Sequence, residues 1–93
     1  MENIIAIINN CLKSEPVNKA YLFGSYARGE NNELSDIDLL LELKSGVTLF
    51  ELASIKVNLE NLTGKTIDLV TTNSISPYIK PFIDTDKKLI YEA

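Results

Sequence analysis

Three aspartates and one glycine–serine pair are the residues whose types and spacing could do chemistry. Asp36 and Asp38 stand two apart in the run Asp36-Ile-Asp-Leu-Leu-Leu-Glu-Leu43. On an extended strand their side chains leave the same face, with α-carbons roughly 6.6 Å apart, so both carboxylates can bend onto one pair of ions. Asp68 is a third acid in an apolar run, between Ile67 and Leu69. If the two strands are neighbours, three carboxylates meet on one patch. Like charges ~5 Å apart cost about 3 kcal/mol at an effective dielectric near 20. A small, marginally stable domain does not carry that load for packing reasons. A divalent cation reverses its sign, and an all-oxygen ligand set suits Mg²⁺. Taken singly, each acid has a plainer explanation. Aspartates at alternate strand positions commonly mark a solvent-facing stripe, and Asp68 alone reads as a strand-edge charge. The run Leu39-Leu40-Leu41 weakens the stripe explanation, because neither face downstream is wet.

The turn Phe23-Gly24-Ser25 closes an apolar run and leads into a helical turn through Tyr26 and Ala27. Glycine lets the backbone come close to an anion, and the exposed amides of a following helical turn favour phosphate. Ser25 adds a hydroxyl. Arg28, the only arginine, follows one turn later with a planar fork suited to phosphate oxygens. By itself a Gly-Ser pair is most often a turn, and a single arginine a solvated charge.

The remaining composition narrows the chemistry. There is no histidine, which removes imidazole-based nucleophilic catalysis and imidazole zinc sites, and the single Cys11 allows no internal disulfide. Cys11 reads as a small core residue. Thirteen acids against nine bases give a net charge of −4, a balance that favours a bound metal over direct nucleic-acid binding. Hydrophobic residues are 45% and charged residues 24% of 93 positions, an ordinary globular balance. A single domain over residues 1–93 is expected, with no membrane span and a cytoplasmic location.

The elements that must position these groups follow from periodicity. Ile4, Ile5, Ile8, Cys11 and Leu12 share one side of a helix over 3–14, ended by Pro16. Residues 19–23 read as a buried strand, 28–35 as a loop and 36–43 as a second strand. Helical spacing returns over 49–62, with Leu52, Ile55, Leu59 and Leu62 as a stripe, a Thr48–Glu51 capping box and Gly64 at the exit. A third strand covers 66–71. Ser76-Pro77 suggests the start of a helix running to about residue 84, and 88–91 a short closing strand. The order is αβ(loop)βαβα(β), an α/β (α+β) fold with one small mixed sheet. The first two strands are too closely linked for a helical crossover and are expected to be antiparallel.

Gly24-Ser25, ten intervening residues, Asp36-x-Asp38 and a later strand Asp68 resemble the signature of the DNA polymerase β-like nucleotidyltransferase superfamily. The fuller string Phe-Gly-Ser-Tyr-Ala-Arg-Gly-Glu at 23–30, with Ser35-Asp-Ile-Asp-Leu39, is similar to its minimal branch, the MNT antitoxins paired with HEPN-domain toxins. The resemblance spans nearly the whole chain, and no motif position departs from it. It implies a nucleotidyltransferase fold and two Mg²⁺ ions held by Asp36 and Asp38, with Asp68 joining one ion and accepting the acceptor's proton. It further implies that Gly24 and Ser25 hold the β- and γ-phosphates of ATP, with Arg28 as a further contact. The product would be an AMP-modified hydroxyl, a tyrosine, on a HEPN ribonuclease toxin that thereby loses activity. Only 25 residues follow Asp68, so the acceptor is expected on a separate polypeptide.

The rival is a binding module that neutralises its partner by contact, docking through Tyr78, Ile79, Phe82 and Ile83. Those four read more naturally as core in a chain this short. Tyr21 is expected to be buried, Tyr26 to cover the glycine turn, and Lys44 and Lys65 to be solvated ends of elements. Nothing in the spacing of Glu30 and Glu33 makes them ligands.

Overall fold

The computed structural model describes residues 2–93. The chain runs α1 (Glu2–Leu12), β1 (Val17–Phe23), α2 (Ser25–Arg28), β2 (Ile37–Leu43), α3 (Leu49–Thr63), β3 (Ile67–Thr71), α4 (Lys80–Asp86) and β4 (Lys88–Glu92). The four strands form one mixed sheet in the order β3-β2-β1-β4. As expected, β1 and β2 are antiparallel; β2 and β3 are parallel, joined through α3, and β4 returns antiparallel to β1. No helix among the described residues is long and apolar enough to cross a membrane.

Alternation along β2 divides the sheet into two faces. Ile37, Leu39 and Leu41 are buried in one cluster with Ile8 and Leu12 of α1, Ala20 and Leu22 of β1, and Ile55 and Leu59 of α3. Asp38 and Leu40 point the other way. Leu40 is nevertheless only 2% exposed, and Leu40 pairs with Tyr21, whose ring carries Lys87 Nζ at 5.1 Å from its centroid. The second face is thus covered toward α4 and left open toward Asp38. Helix α3 starts at the expected place: Thr48 accepts from the Glu51 amide at 3.1 Å, Glu51 reaches back to the Thr48 amide, and Gly64 closes the helix in a left-handed conformation. Lys65 is not simply solvated; its ammonium donates to the Glu33 carbonyl at 2.9 Å and ties down the loop before β2.

Several sequence expectations shift. Helix α1 stops at Leu12, where Glu15 and Ser14 amides fold back onto Leu12 and Cys11 carbonyls before Pro16 is reached. Strand β1 begins at Val17, two residues early, and Asp36 lies just outside β2 rather than in it. Leu62, expected on the buried stripe, is 56% exposed in the last turn of α3. Ser76-Pro77 does not open α4. Ser76 instead accepts Ile79 and Lys80 amides in a turn, and Pro81 sits in the first turn of a helix that begins at Lys80. In consequence Tyr78, Ile79 and Phe82 are exposed, and only Ile83 of that quartet is buried. Tyr21 is half-buried, and Cys11 lies at the edge of the core.

The core and cap set the expected stabilities. Leu59→Ala should cost ~3 kcal/mol in urea unfolding, since it empties a fully buried site. Thr48→Ala should cost about 1 kcal/mol, the value of one helix cap.

Candidate active site

The parallel register sets Asp38 directly beside Asp68, and the antiparallel register sets Phe23, the residue before the glycine turn, beside Asp38. Three elements therefore converge on the open face at one end of the sheet. Burial first, then the Asp68 carboxyl beside it, then the charge of Asp36, push the Asp38 carboxyl up to about 6, with Arg28 acting weakly in the opposite sense. Asp36 is exposed at the head of β2, near enough to act on Asp38 through its charge. Among the described residues no three acidic, histidine or cysteine side chains are gathered into a single metal-holding group. The structure joins Asp38 to Asp68 as a pair and keeps Asp36 beside them, because Asp36 lies outside the strand whose pleat fixes the other two.

Gly24 shows why the turn must be glycine. Its backbone has φ 73° and ψ −153°, and a Cβ there would overlap Asp38 Oδ2 while lying 3.1 Å from Asp38 Cγ. The turn and the carboxylate are in backbone-to-side-chain contact. Tyr26 and Ala27 bury themselves in the core and anchor the single turn of α2. That turn is closed by the Arg28 amide on the Gly24 carbonyl at 3.1 Å and by left-handed Gly29. Tyr26 thus acts as the cover of the turn, as expected. Ser25 is half-buried, and its hydroxyl makes no hydrogen bond among the described residues.

Arg28 is more committed than the sequence suggests. Its Nε donates to Glu30 at 2.8 Å and its Nη1 to Asp86 at 2.6 Å, two contacts that hold the guanidinium protonated. Asp86 ends α4, 58 residues away, and no local signal links the two. Glu30, without a ligand's spacing, is the other half of this clamp. Beyond Asp68, at the outer edge of β3, lies a cleft of about 300 Å³ formed with Leu49, Leu52, Ala53 and Lys56 of α3. No local sequence signal marks it, since its walls come from two elements that only the fold brings together.

The family model described as "Polymerase beta, Nucleotidyltransferase" matches residues 2–93. A relative from Methanocaldococcus jannaschii, designated a candidate protein adenylyltransferase, is 48% identical over 64 residues, 69% of this chain and 69% of its own length. In solved structures, a chain of a toxin–antitoxin complex with AMP-PNP superposes with a TM-score of 0.82 at 23% identity, covering 96% of this chain and 73% of that one. A complex of tri-AMPylated Shewanella oneidensis HEPN toxin with its MNT antitoxin gives a TM-score of 0.76 at 20% identity, covering 99% and 72%. These two establish likeness of fold.

Two measurements test the geometry. Gly24→Ala should destabilise by about 2 kcal/mol more than Gly29→Ala, because both glycines have left-handed φ but only Gly24 faces an atom where the methyl would go. The raised proton affinity of Asp38 means that between pH 4 and about 6 the folded state keeps a proton that the unfolded chain has released. Stability should therefore be greatest at mildly acid pH and fall as pH rises through about 6. Half-exposed as Asp38 is, the loss should be roughly 1 kcal/mol after solvent screening. Asp38→Asn should flatten this part of the stability-against-pH curve in chemical denaturation and raise stability at pH 7.

Proposed function

The chain belongs to the polymerase β nucleotidyltransferase family, and from that membership we propose that it moves AMP from ATP onto a tyrosine hydroxyl of a HEPN-domain ribonuclease toxin, silencing it as the antitoxin of a pair. The observation that carries this reading is the contact of the Gly24 backbone with Asp38 while Asp38 lies beside Asp68. A glycine turn and a crowded acidic pair meet at one end of the sheet. The adenylyltransferase designation of the Methanocaldococcus jannaschii relative supports AMP as the group moved. The AMPylated HEPN toxin bound to its MNT antitoxin supports the partner.

The donor set fits Mg²⁺. Its groups are carboxylate oxygens, and the like charge that pushes Asp38 up to about 6 is what a divalent cation relieves. Asp36 and Asp38 would hold the ions, with Asp68 joining one of them. Bound there, the ions supply charge neutralisation at the attacking and leaving oxygens. The protein's own residues do the rest. Gly24 brings main-chain amides to the β- and γ-phosphates, Ser25 adds its hydroxyl, and Arg28 gives a further contact from its clamp between Glu30 and Asp86. Asp68 accepts the tyrosine proton as the phenolic oxygen forms its bond to the α-phosphorus. The bond from that phosphorus to the bridging oxygen breaks, and pyrophosphate leaves. Positioning and charge do most of the work in such a transfer. A cytoplasmic location belongs to the same proposal, because ATP and a ribonuclease target are met there.

Contact neutralisation is the second reading, favoured by the exposure of Tyr78, Ile79 and Phe82. One experiment separates the two. The purified protein, Mg²⁺ and α-labelled ATP are incubated with a HEPN-type protein from the same source, and label on that protein is measured. Wild type should transfer label. Asp36→Asn with Asp38→Asn should lower transfer roughly 1,000-fold or more, the scale of several kcal/mol of charge stabilisation, while co-purification with the partner persists. Neutralisation retained by the double variant in cells would instead establish contact as the mechanism.

A further inference from the structure

We propose that the cleft between α3 and the outer edge of β3 is the acceptor subsite, and that it receives a tyrosine carried on an extended polypeptide segment. This inference rests on the transferase reading above and adds where the acceptor lies and what form it takes. The first argument is the order of strands. Asp38 on β2 lies between Asp68 on β3 and the glycine turn that ends β1. An in-line displacement puts the attacking oxygen and the leaving pyrophosphate on opposite sides of the phosphorus. With the β- and γ-phosphates over Gly24 and Ser25, the attack comes from the β3 side, where this cleft of about 300 Å³ opens.

The second argument is the chemistry of the walls. Leu49, Leu52, Ala53 and Leu69 make an apolar slot, with Lys56 and Asp68 as its only charges. An aromatic ring fills such a slot, whereas a serine or threonine side chain leaves it empty. A phenol ionises near pH 10, so positive charge facing the oxygen eases loss of its proton at neutral pH. Lys56 supplies that charge on the α3 side, opposite the carboxylate that takes the proton.

The third argument is the free edge of β3. The Ile37 amide donates to the Thr66 carbonyl and the Thr72 amide to the Leu41 carbonyl, so even-numbered residues of β3 face β2 and odd-numbered ones turn outward. Consistent with this phase, the Ile67 amide is taken by Glu60 Oε2 at 2.9 Å from outside the sheet. Leu69 is the next outward residue, and it lines the cleft. A main chain laid along this edge can pair with Leu69, which a free amino acid or small hydroxylated molecule cannot do as well. Beyond the slot, Phe50, 88% exposed, lies beside Ala53 and adds an apolar side chain next to the cleft.

The test titrates ¹⁵N-labelled protein with a blocked pentapeptide centred on tyrosine, with and without Mg²⁺ and a non-hydrolysable ATP analogue. The amides of Leu52, Ala53, Lys56 and Leu69 should shift, and a phenylalanine-centred peptide should bind more weakly. Ala53→Trp fills the slot from an exposed helix position. It should abolish those shifts and lower AMP transfer to the HEPN-type protein ~100-fold, the cost of a misplaced acceptor. Lys56→Ala should lower transfer roughly tenfold, less than an enclosed oxyanion donor contributes. Calorimetric uptake of Mg²⁺ and nucleotide should be unchanged in both variants. Peptide shifts centred on Tyr78 and Phe82, no shifts in the cleft, or full transfer by Ala53→Trp would each overturn the proposal. If the unaltered protein takes up no Mg²⁺ and nucleotide, the transferase reading fails instead, and the peptide titration alone still decides the cleft.

Discussion

Two carboxylates held side by side across a parallel strand pair are the constraint on which the rest of the structure depends. The register that sets Asp38 against Asp68 is not adjustable, because a slip of one residue would bring Ile37 and Leu39 out of the core and drive the acids into it. Apolar burial on one face therefore enforces like-charge contact on the other. Burial of Asp38 raises its proton affinity further, so this end of the sheet is under electrostatic load at neutral pH. A load of this kind, maintained by an otherwise well-packed core, is common where a fold serves a charged ligand.

The glycine turn completes that arrangement by close approach. Gly24 brings main chain against the Asp38 carboxylate, and the buried side chains of Tyr26 and Ala27 fix the turn from below. The Arg28–Asp86 ion pair then links this turn to the end of α4, so a helix that follows β3 also reaches the site. Exposed on its own, such an ion pair adds little stability. Its structural effect is to hold the guanidinium on the rim of the open face.

Legibility from sequence differed by element, and the reasons are physical. Strands β2 and β3 and helix α3 were readable because each has a continuous apolar run or a capping signature that acts locally. The start of α4 is not legible locally, because Ser76-Pro77 is equally good turn chemistry, and the helix is placed where Ile83 becomes buried. The exposure of Tyr78, Ile79 and Phe82 follows from the same choice, since moving the helix start moves its buried face. Asp36 and Asp38 looked equivalent in a period-two pattern. The fold separates them, because the ladder begins between them at Ile37.

By itself the sequence determined the αβ(loop)βαβα(β) order, the antiparallel first pair of strands, and the residue types able to bind phosphate and divalent cations. These are local properties, carried by side-chain period, turn residues and charge. Only the tertiary structure decided that Asp68 lies beside Asp38, that Arg28 is gripped by Asp86, and that α3 and β3 leave a cleft between them. Each of these joins residues far apart in the chain, and their meeting is settled by which strand edges pair and which faces must be buried.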